Sequence, residues 1–159
     1  MRIHVVAVGT RMPNWVNQAV AEYAKRLSSH YPLSFSEVQA RTRSNKVPAA
    51  ERMAMEGRAI LKALPKNCRV VALERTGRAL DTPKLAERLD VWAAAGQDVA
   101  LMIGGADGLS AACRARAEEI WSLSPLTLAH PVVRVVLAEQ LYRAFSILSN
   151  HPYHRGPNA

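Results

Sequence analysis

The sequence predicts an α/β layer fold with a largely parallel sheet. Two observations carry that expectation. Short apolar runs alternate with segments of helical periodicity, the pattern of successive βα units. No repeat, low-complexity stretch or linker breaks the 159 residues, so a single domain over 1–159 is expected.

The elements follow in order. Ile3–Val8 is a short apolar run closed by Gly9, read as a buried strand. Pro13 opens a helix over 14–29, with Trp15, Val16, Ala19, Val20, Tyr23, Ala24 and Leu27 at helical spacing. A second strand is expected at Leu33–Val38, then a polar, basic loop with Arg41, Arg43, Ser44, Asn45 and Lys46. A helix over 48–64 precedes a third strand at 69–73, ended by a turn at Thr76-Gly77. Asp81-Thr82-Pro83 combines a capping side chain with an early proline and starts a helix that stops near Gly96. Val99–Ile103 is the fourth strand, 110–119 a helix capped by Ser110, and 120–123 a short fifth strand. Pro131 opens the last helix, 131–149. Its apolar residues cover more of the circumference than one core-facing stripe needs. A second copy of the chain is the expected cover for the other side.

Composition narrows the partners. Lys and Arg outnumber Asp and Glu by 21 to 13, a net charge of +8, which favours a polyanionic partner. Cys68 and Cys113 have no metal-like or redox spacing and read as free packed thiols in a reducing compartment. The N-terminal apolar run is too short for a signal peptide, and nothing approaches a membrane span. The expectation is a soluble, cytoplasmic protein with no metal and no membrane partner, since the five histidines show no ligand spacing.

Three stretches carry candidate chemistry. Gly104, Gly105 and Gly108 follow the fourth strand, but no Lys-Ser/Thr pair follows them, and a dinucleotide fingerprint belongs after the first strand. A bare turn using glycine for positive φ explains them equally. Leu123–Leu128, continuing to His130, is a loop of small polar and apolar residues stiffened by Pro125. It suits a purine as well as it suits a plain strand–helix connection. On the last helix Glu139 and Arg143 stand i,i+4, either a surface ion pair or an arginine held for an anion. The tail His151-Pro152-Tyr153-His154-Arg155 is dense in stacking and cationic groups suited to RNA.

Five segments together resemble one family: Val6–Pro13, Ile103-Gly104-Gly105 with Gly108-Leu109-Ser110, Leu126–Pro131, Val133–Ala144 and Asn150–Arg155. It is the bacterial ribosomal RNA large-subunit methyltransferase H group of the SPOUT superfamily, and the similarity runs end to end. The resemblance implies a SPOUT-type α/β fold with a C-terminal trefoil knot. It implies an S-adenosylmethionine-dependent enzyme that methylates N3 of a pseudouridine in 23S rRNA. So small a chain, with no separate RNA-binding domain, is expected to recognise a large assembled target, the whole ribosome. It places the cofactor at Leu73, Gly104, Leu123, Ser124, Pro125, Leu126, Thr127 and Leu128. It also implies a homodimer in which the tail of one subunit completes the site of the other. On that basis Arg143, Glu139, Tyr153 and His154 are the candidate catalytic residues: anion stabiliser, its orienting carboxylate, base-stacking ring and proton acceptor. Ala106-Asp107 and the extension 156–159 depart from the family pattern. Three readings compete: a SPOUT enzyme acting on another nucleoside, a non-catalytic RNA-binding assembly factor, and an enzyme using a different nucleotide.

Overall fold

A computed structural model describes residues 1–27, 29–41 and 47–155. Arg43, Ser44, Asn45 and Lys46 of the expected polar, basic loop, and the extension 156–159, lie outside the described residues. Five strands, β1 (Ile3–Val8), β2 (Leu33–Val38), β3 (Arg69–Ala79), β4 (Val99–Ile103) and β5 (Glu119–Ser122), form one sheet in the order β2-β1-β4-β3-β5. All four pairings are parallel, as the alternation of strands and helices predicts. The helices are α1 (Asn14–Leu27), α2 (Ala49–Ala63), α3 (Thr82–Ala95), α4 (Ala111–Arg116) and α5 (His130–Leu148).

Side chains alternate across a strand, so a sheet covered on both faces needs apolar residues at nearly every position. β1 and β4 meet that need. Ile3, Val5 and Ala7 with Val99, Leu101 and Ile103 enter the core under α1, α3 and α5. Val6 and Val8 with Ala100 and Met102 enter the opposite core, which α2 and α4 cover with Ile60 and Cys113. Each fully buried side chain of this size contributes about 1.5–3 kcal/mol.

Three boundaries differ from the sequence expectation by two residues or more. β3 does not stop at 73 but runs to Ala79, with Leu73 and Arg78 both in register with Trp121. The residues expected to turn, Thr76 and Gly77, lie within this irregular strand. Gly77 permits the crossing, because a Cβ there would stand 2.5 Å from the Trp121 carbonyl carbon. α4 ends at Arg116 rather than 119, since Ala117 is extended with ψ 134°. The amide of Glu118 then donates to the Val70 carbonyl at 2.8 Å and leads the chain into β5. α1 ends at Leu27, with the His30 and Tyr31 amides closing on the Leu27 carbonyl.

α5 buries Leu137, Ala138, Leu141, Tyr142 and Ala144 against the sheet. Val132, Val133, Val135 and Val136 on its other sides are only half-buried. The helix stops at Asn150, which adopts φ +53°, a left-handed geometry that asparagine tolerates better than most residues. The His151 amide then reaches back to the Ser146 carbonyl at 2.8 Å and folds the tail onto the helix as a short 3-10 turn, Pro152–His154.

Candidate functional site

Parallel registration brings the carboxyl ends of β1 and β4 beside Leu73, where the pairing of β3 with β4 ends: Ala7 pairs with Ile103, and Ile103 with Leu73. In open α/β sheets that edge is where ligands bind. Here it opens on a cavity of about 530 Å³, lined among others by Gly9, Leu73, Glu74, Gly104, Thr127 and Leu128. The volume suits a nucleoside-sized ligand. A shallower cleft adjoins it and shares Glu74, Leu128 and Val133, with Leu123, Ser124 and Leu126 along its side. Of the sequence-predicted cofactor residues, Leu73, Gly104, Thr127 and Leu128 line the cavity, and Leu123, Ser124 and Leu126 line the cleft. Pro125 sits between them, exposed. Leu126 is 72% exposed and forms the outer tip of the loop, while its amide donates to the Ser124 hydroxyl oxygen at 2.9 Å.

The glycine turn is built for close packing. A Cβ on Gly104 would lie 2.6 Å from the Gly108 carbonyl carbon, so the turn itself demands glycine there. Gly108 has φ +90° and its amide donates to the Gly105 carbonyl at 3.1 Å. α2 braces the turn from below. Arg52 grips Asp107 through two hydrogen bonds of 3.0 and 3.3 Å. Buried Glu56 accepts the Arg41 amide at 2.8 Å through Oε1, and a Cβ on Gly105 would stand 2.5 Å from its Oε2.

The opposite wall is fixed by α5. Arg134, 2% exposed, ion-pairs with Glu37 and donates to the carbonyls of Gly9 at 2.6 Å and Val8 at 3.3 Å. His130 lines the cavity beside it. Burial, and then the Arg134 charge, push the His130 pKa below the ordinary histidine value. Glu74, Glu56, Arg52 and Arg134 escaped the sequence reading. Their partners lie far along the chain, and only Arg134, a charge within an apolar helix, carried a local signal.

A second constellation stands at the far end of α5. Arg143 donates from Nε and Nη2 to Glu139 Oε1 at 2.8 and 2.6 Å. Tyr153 adds its hydroxyl to the same oxygen at 3.1 Å, and Gln140 Nε2 occupies Glu139 Oε2 at 2.7 Å. The Arg143 guanidinium lies over the Tyr153 ring, 4.8 Å from its centroid, and Tyr142 meets that ring edge-on at 4.7 Å. Arg26 of α1 approaches the same ring at 6.0 Å. Burial, then hydrogen bonding to Tyr23, with the Glu139 charge beside it, push the Tyr153 phenol well above its ordinary value. The Glu139 carboxylate raises the Arg143 pKa. His154 Nδ1 is buried with no hydrogen-bond partner. Arg155 donates to Asn150 Oδ1 at 3.1 Å.

The fold therefore assembles Glu139, Arg143, Tyr153 and His154 at one end of α5 and the cavity at the other. Arg143 lies thirteen positions beyond His130 on the helix, a rise of about 20 Å. Among the described residues no group of three His, Cys, Asp or Glu side chains is placed to hold a metal. No described helix is long and apolar enough to cross a membrane. Cys68 and Cys113 are buried free thiols.

Comparison with known proteins gives a consistent picture. Residues 1–154 match a family model described as "Predicted SPOUT methyltransferase". The chain is 54% identical over 155 residues to the ribosomal RNA large subunit methyltransferase H of Thioalkalivibrio sulfidiphilus, covering 98% of this chain and 99% of that one. It is 52% identical to the protein of the same name from Hahella chejuensis, with the same coverage. A solved methylase family protein from Neisseria gonorrhoeae superposes with a TM-score of 0.55 at 14% identity, covering 94% of this chain and 93% of its own. That last likeness concerns the fold alone.

Proposed function

Since the chain belongs to the SPOUT methyltransferase family, we propose that it transfers a methyl group from S-adenosylmethionine to N3 of a pseudouridine in large-subunit ribosomal RNA. The observation that carries this reading is the cavity at the carboxyl ends of β1 and β4 and beside Leu73 of β3, closed by the loop after β5. Its residues fit the cofactor. Leu73, Ile103 and Leu128 offer apolar faces for a purine, and the glycine turn brings main chain to the wall without side chains in the way. Thr127 and Leu128 hold the cavity side, with Leu123, Ser124 and Leu126 on the adjoining cleft and Pro125 stiffening the loop. When bound, the cofactor supplies an electrophilic methyl carbon on a sulfonium.

The protein's task is alignment of the nucleophile and management of one proton. The N3–H of pseudouridine is an imide proton between two carbonyls. His154, beside this cluster in the tail, takes that proton. Arg143, its fork held by Glu139, stabilises the developing imide anion. Tyr153 positions the guanidinium through its ring and hydroxyl and offers a flat surface beside the base. Arg155, Arg41 and the neighbouring basic segment contact phosphate.

The separation of about 20 Å along α5 supports a homodimer in which the tail of one copy meets the cavity of the other. The half-buried valines of α5 are the surface such a partner covers. The net charge of +8 suits a large polyanionic target, the assembled ribosome. The test is methylation by radiolabelled donor of whole ribosomes and of isolated rRNA, followed by mass mapping of the modified base. Label at one pseudouridine N3 in ribosomes is expected. Label on another nucleoside, or equal labelling of an isolated stem-loop, overturns the corresponding part.

A further inference from the structure

The cofactor cavity has an unusual charge balance for a protein of net charge +8. Among the described residues that line it, Glu74 is the one carboxylate, and no lysine or arginine joins it. The remaining titratable group, His130, is held toward its neutral form by burial and by Arg134. A cavity for a phosphorylated nucleotide would need the opposite sign. This one fits a cation.

Glu74 is positioned rather than mobile. It follows Leu73, where β3 leaves its regular pairing, and its side chain is 15% exposed. Arg114 of α4 donates to Oε1 at 3.3 Å and is itself anchored on the Leu109 carbonyl at 2.6 Å. The pairing engages one oxygen only. Glu74 borders both the cavity and the adjoining cleft, which Arg75 also lines.

We propose that Glu74 is the specificity-determining residue that distinguishes the methyl donor from its demethylated product by reading the sulfonium charge. The inference rests on the methyl-donor reading above and deepens it. In the transfer the methyl carbon–sulfur bond breaks and its electron pair remains on sulfur, which becomes a neutral thioether. The methyl carbon bonds to N3, and the N3 proton leaves to the base. The charge that Glu74 attracts is therefore present before transfer and gone after it. Donor is favoured over product at the same site, and product release needs no separate device.

The test is calorimetric titration of wild type, Glu74→Gln and Glu74→Asp with three ligands. S-adenosylmethionine carries the sulfonium, sinefungin carries an ammonium centre in its place, and S-adenosylhomocysteine carries neither. Glu74→Gln is expected to weaken the first two roughly tenfold, the scale of a partly screened charge pair. Homocysteine-form binding is expected to stay within about twofold, which also reports an intact fold. Glu74→Asp is expected to keep most of the preference. Equal weakening of all three ligands overturns the inference, because the carboxylate then reads a group common to them. Unchanged affinities also overturn it, as does a Glu74→Asp loss equal to that of Glu74→Gln. Wild type that binds none of the three removes the methyl-donor reading itself, and this inference with it.

Discussion

The two ends of α5 are built in opposite ways. At its start, around His130 and Arg134, the walls are mostly main chain, glycine and aliphatic side chains, with Glu74, Thr127 and His130 among them, and Arg134 and Glu56 lie behind as braces. At its end, Glu139, Arg143, Tyr153 and Tyr23 form a network of charges and rings on the surface. On the function proposed above, the difference is a division of labour. The first end would hold the ligand in a rigid place defined by strand ends and a close-packed turn, with Glu74 as its one carboxylate among the described lining residues. The second end would supply the cationic and proton chemistry, its groups held by one another. One helix fixes the distance between them, so in the proposed homodimer a complete site combines the first end of one copy with the second end of another.

The strongest way to break this comparison is to remove function from one end at a time. Arg143→Ala is expected to lower turnover by about 10²–10³-fold, the usual scale for loss of an anion-stabilising donor, with donor affinity unchanged. Thr127→Trp, at an exposed position on the cavity rim, is expected to abolish donor binding while the protein stays folded. Mixing the two inactive variants is expected to restore part of the activity, because mixed dimers contain one site with both ends intact. Failure of mixed dimers to recover any turnover would place both ends in the same chain's site and sink the division proposed here.

The next effect separates rigidity from charge. Gly104→Ala puts a methyl group 2.6 Å from the Gly108 main chain, and such overpacking costs about 1–3 kcal/mol. Thermal unfolding is expected to shift down and donor affinity to fall with it. At the other end, Tyr153→Phe removes one hydroxyl from Glu139 and Tyr23, worth about 1 kcal/mol. There stability is expected to fall less, with donor affinity unchanged. An affinity loss in Tyr153→Phe as large as in Gly104→Ala contradicts the separation.

How much of this was legible in the sequence follows the same divide. Strands β1 and β4 match their expected bounds, because residues buried on both faces leave an apolar run with sharp polar edges, and β2 matches through its alternation of partly buried Leu33 and Phe35 with exposed Ser34 and Ser36. The Glu139–Arg143 pair was legible because helical spacing is local, and Gly104 because a turn announces itself. β3 was misjudged at Thr76-Gly77, where a glycine that suggests a turn instead lets one strand cross the backbone of another at Trp121. Glu74, Glu56 and Arg52 were not legible as site residues. Each looks like an ordinary charge locally, and its meaning comes from a partner 40, 49 or 55 positions away, on Arg114, Gly105 and Asp107. Tyr23 and Arg26 were hidden in the same way, since only the fold lays α1 beside the tail.

The smallest expected effect tests whether the cavity end is a desolvated place. His130 has its pKa lowered first by burial and then by Arg134, with the Val8 carbonyl and Glu37 opposing. A histidine whose folded pKa lies below its unfolded value binds fewer protons when folded. Stability then rises with pH through that interval and is fully present above the unfolded value of about 6.5. As pH falls below about 6.5, the unfolded chain gains a proton that the folded cavity resists, and this part of the stability is lost. Urea unfolding of wild type and His130→Gln between about pH 5 and pH 7.5 isolates the contribution, because every other titrating group is common to both. Wild type is expected to lose stability more steeply toward the acid side than the variant. Identical slopes would mean that the His130 ring is as well hydrated in the fold as outside it, and a wall so open to water is a poor match for the tightly braced end described here.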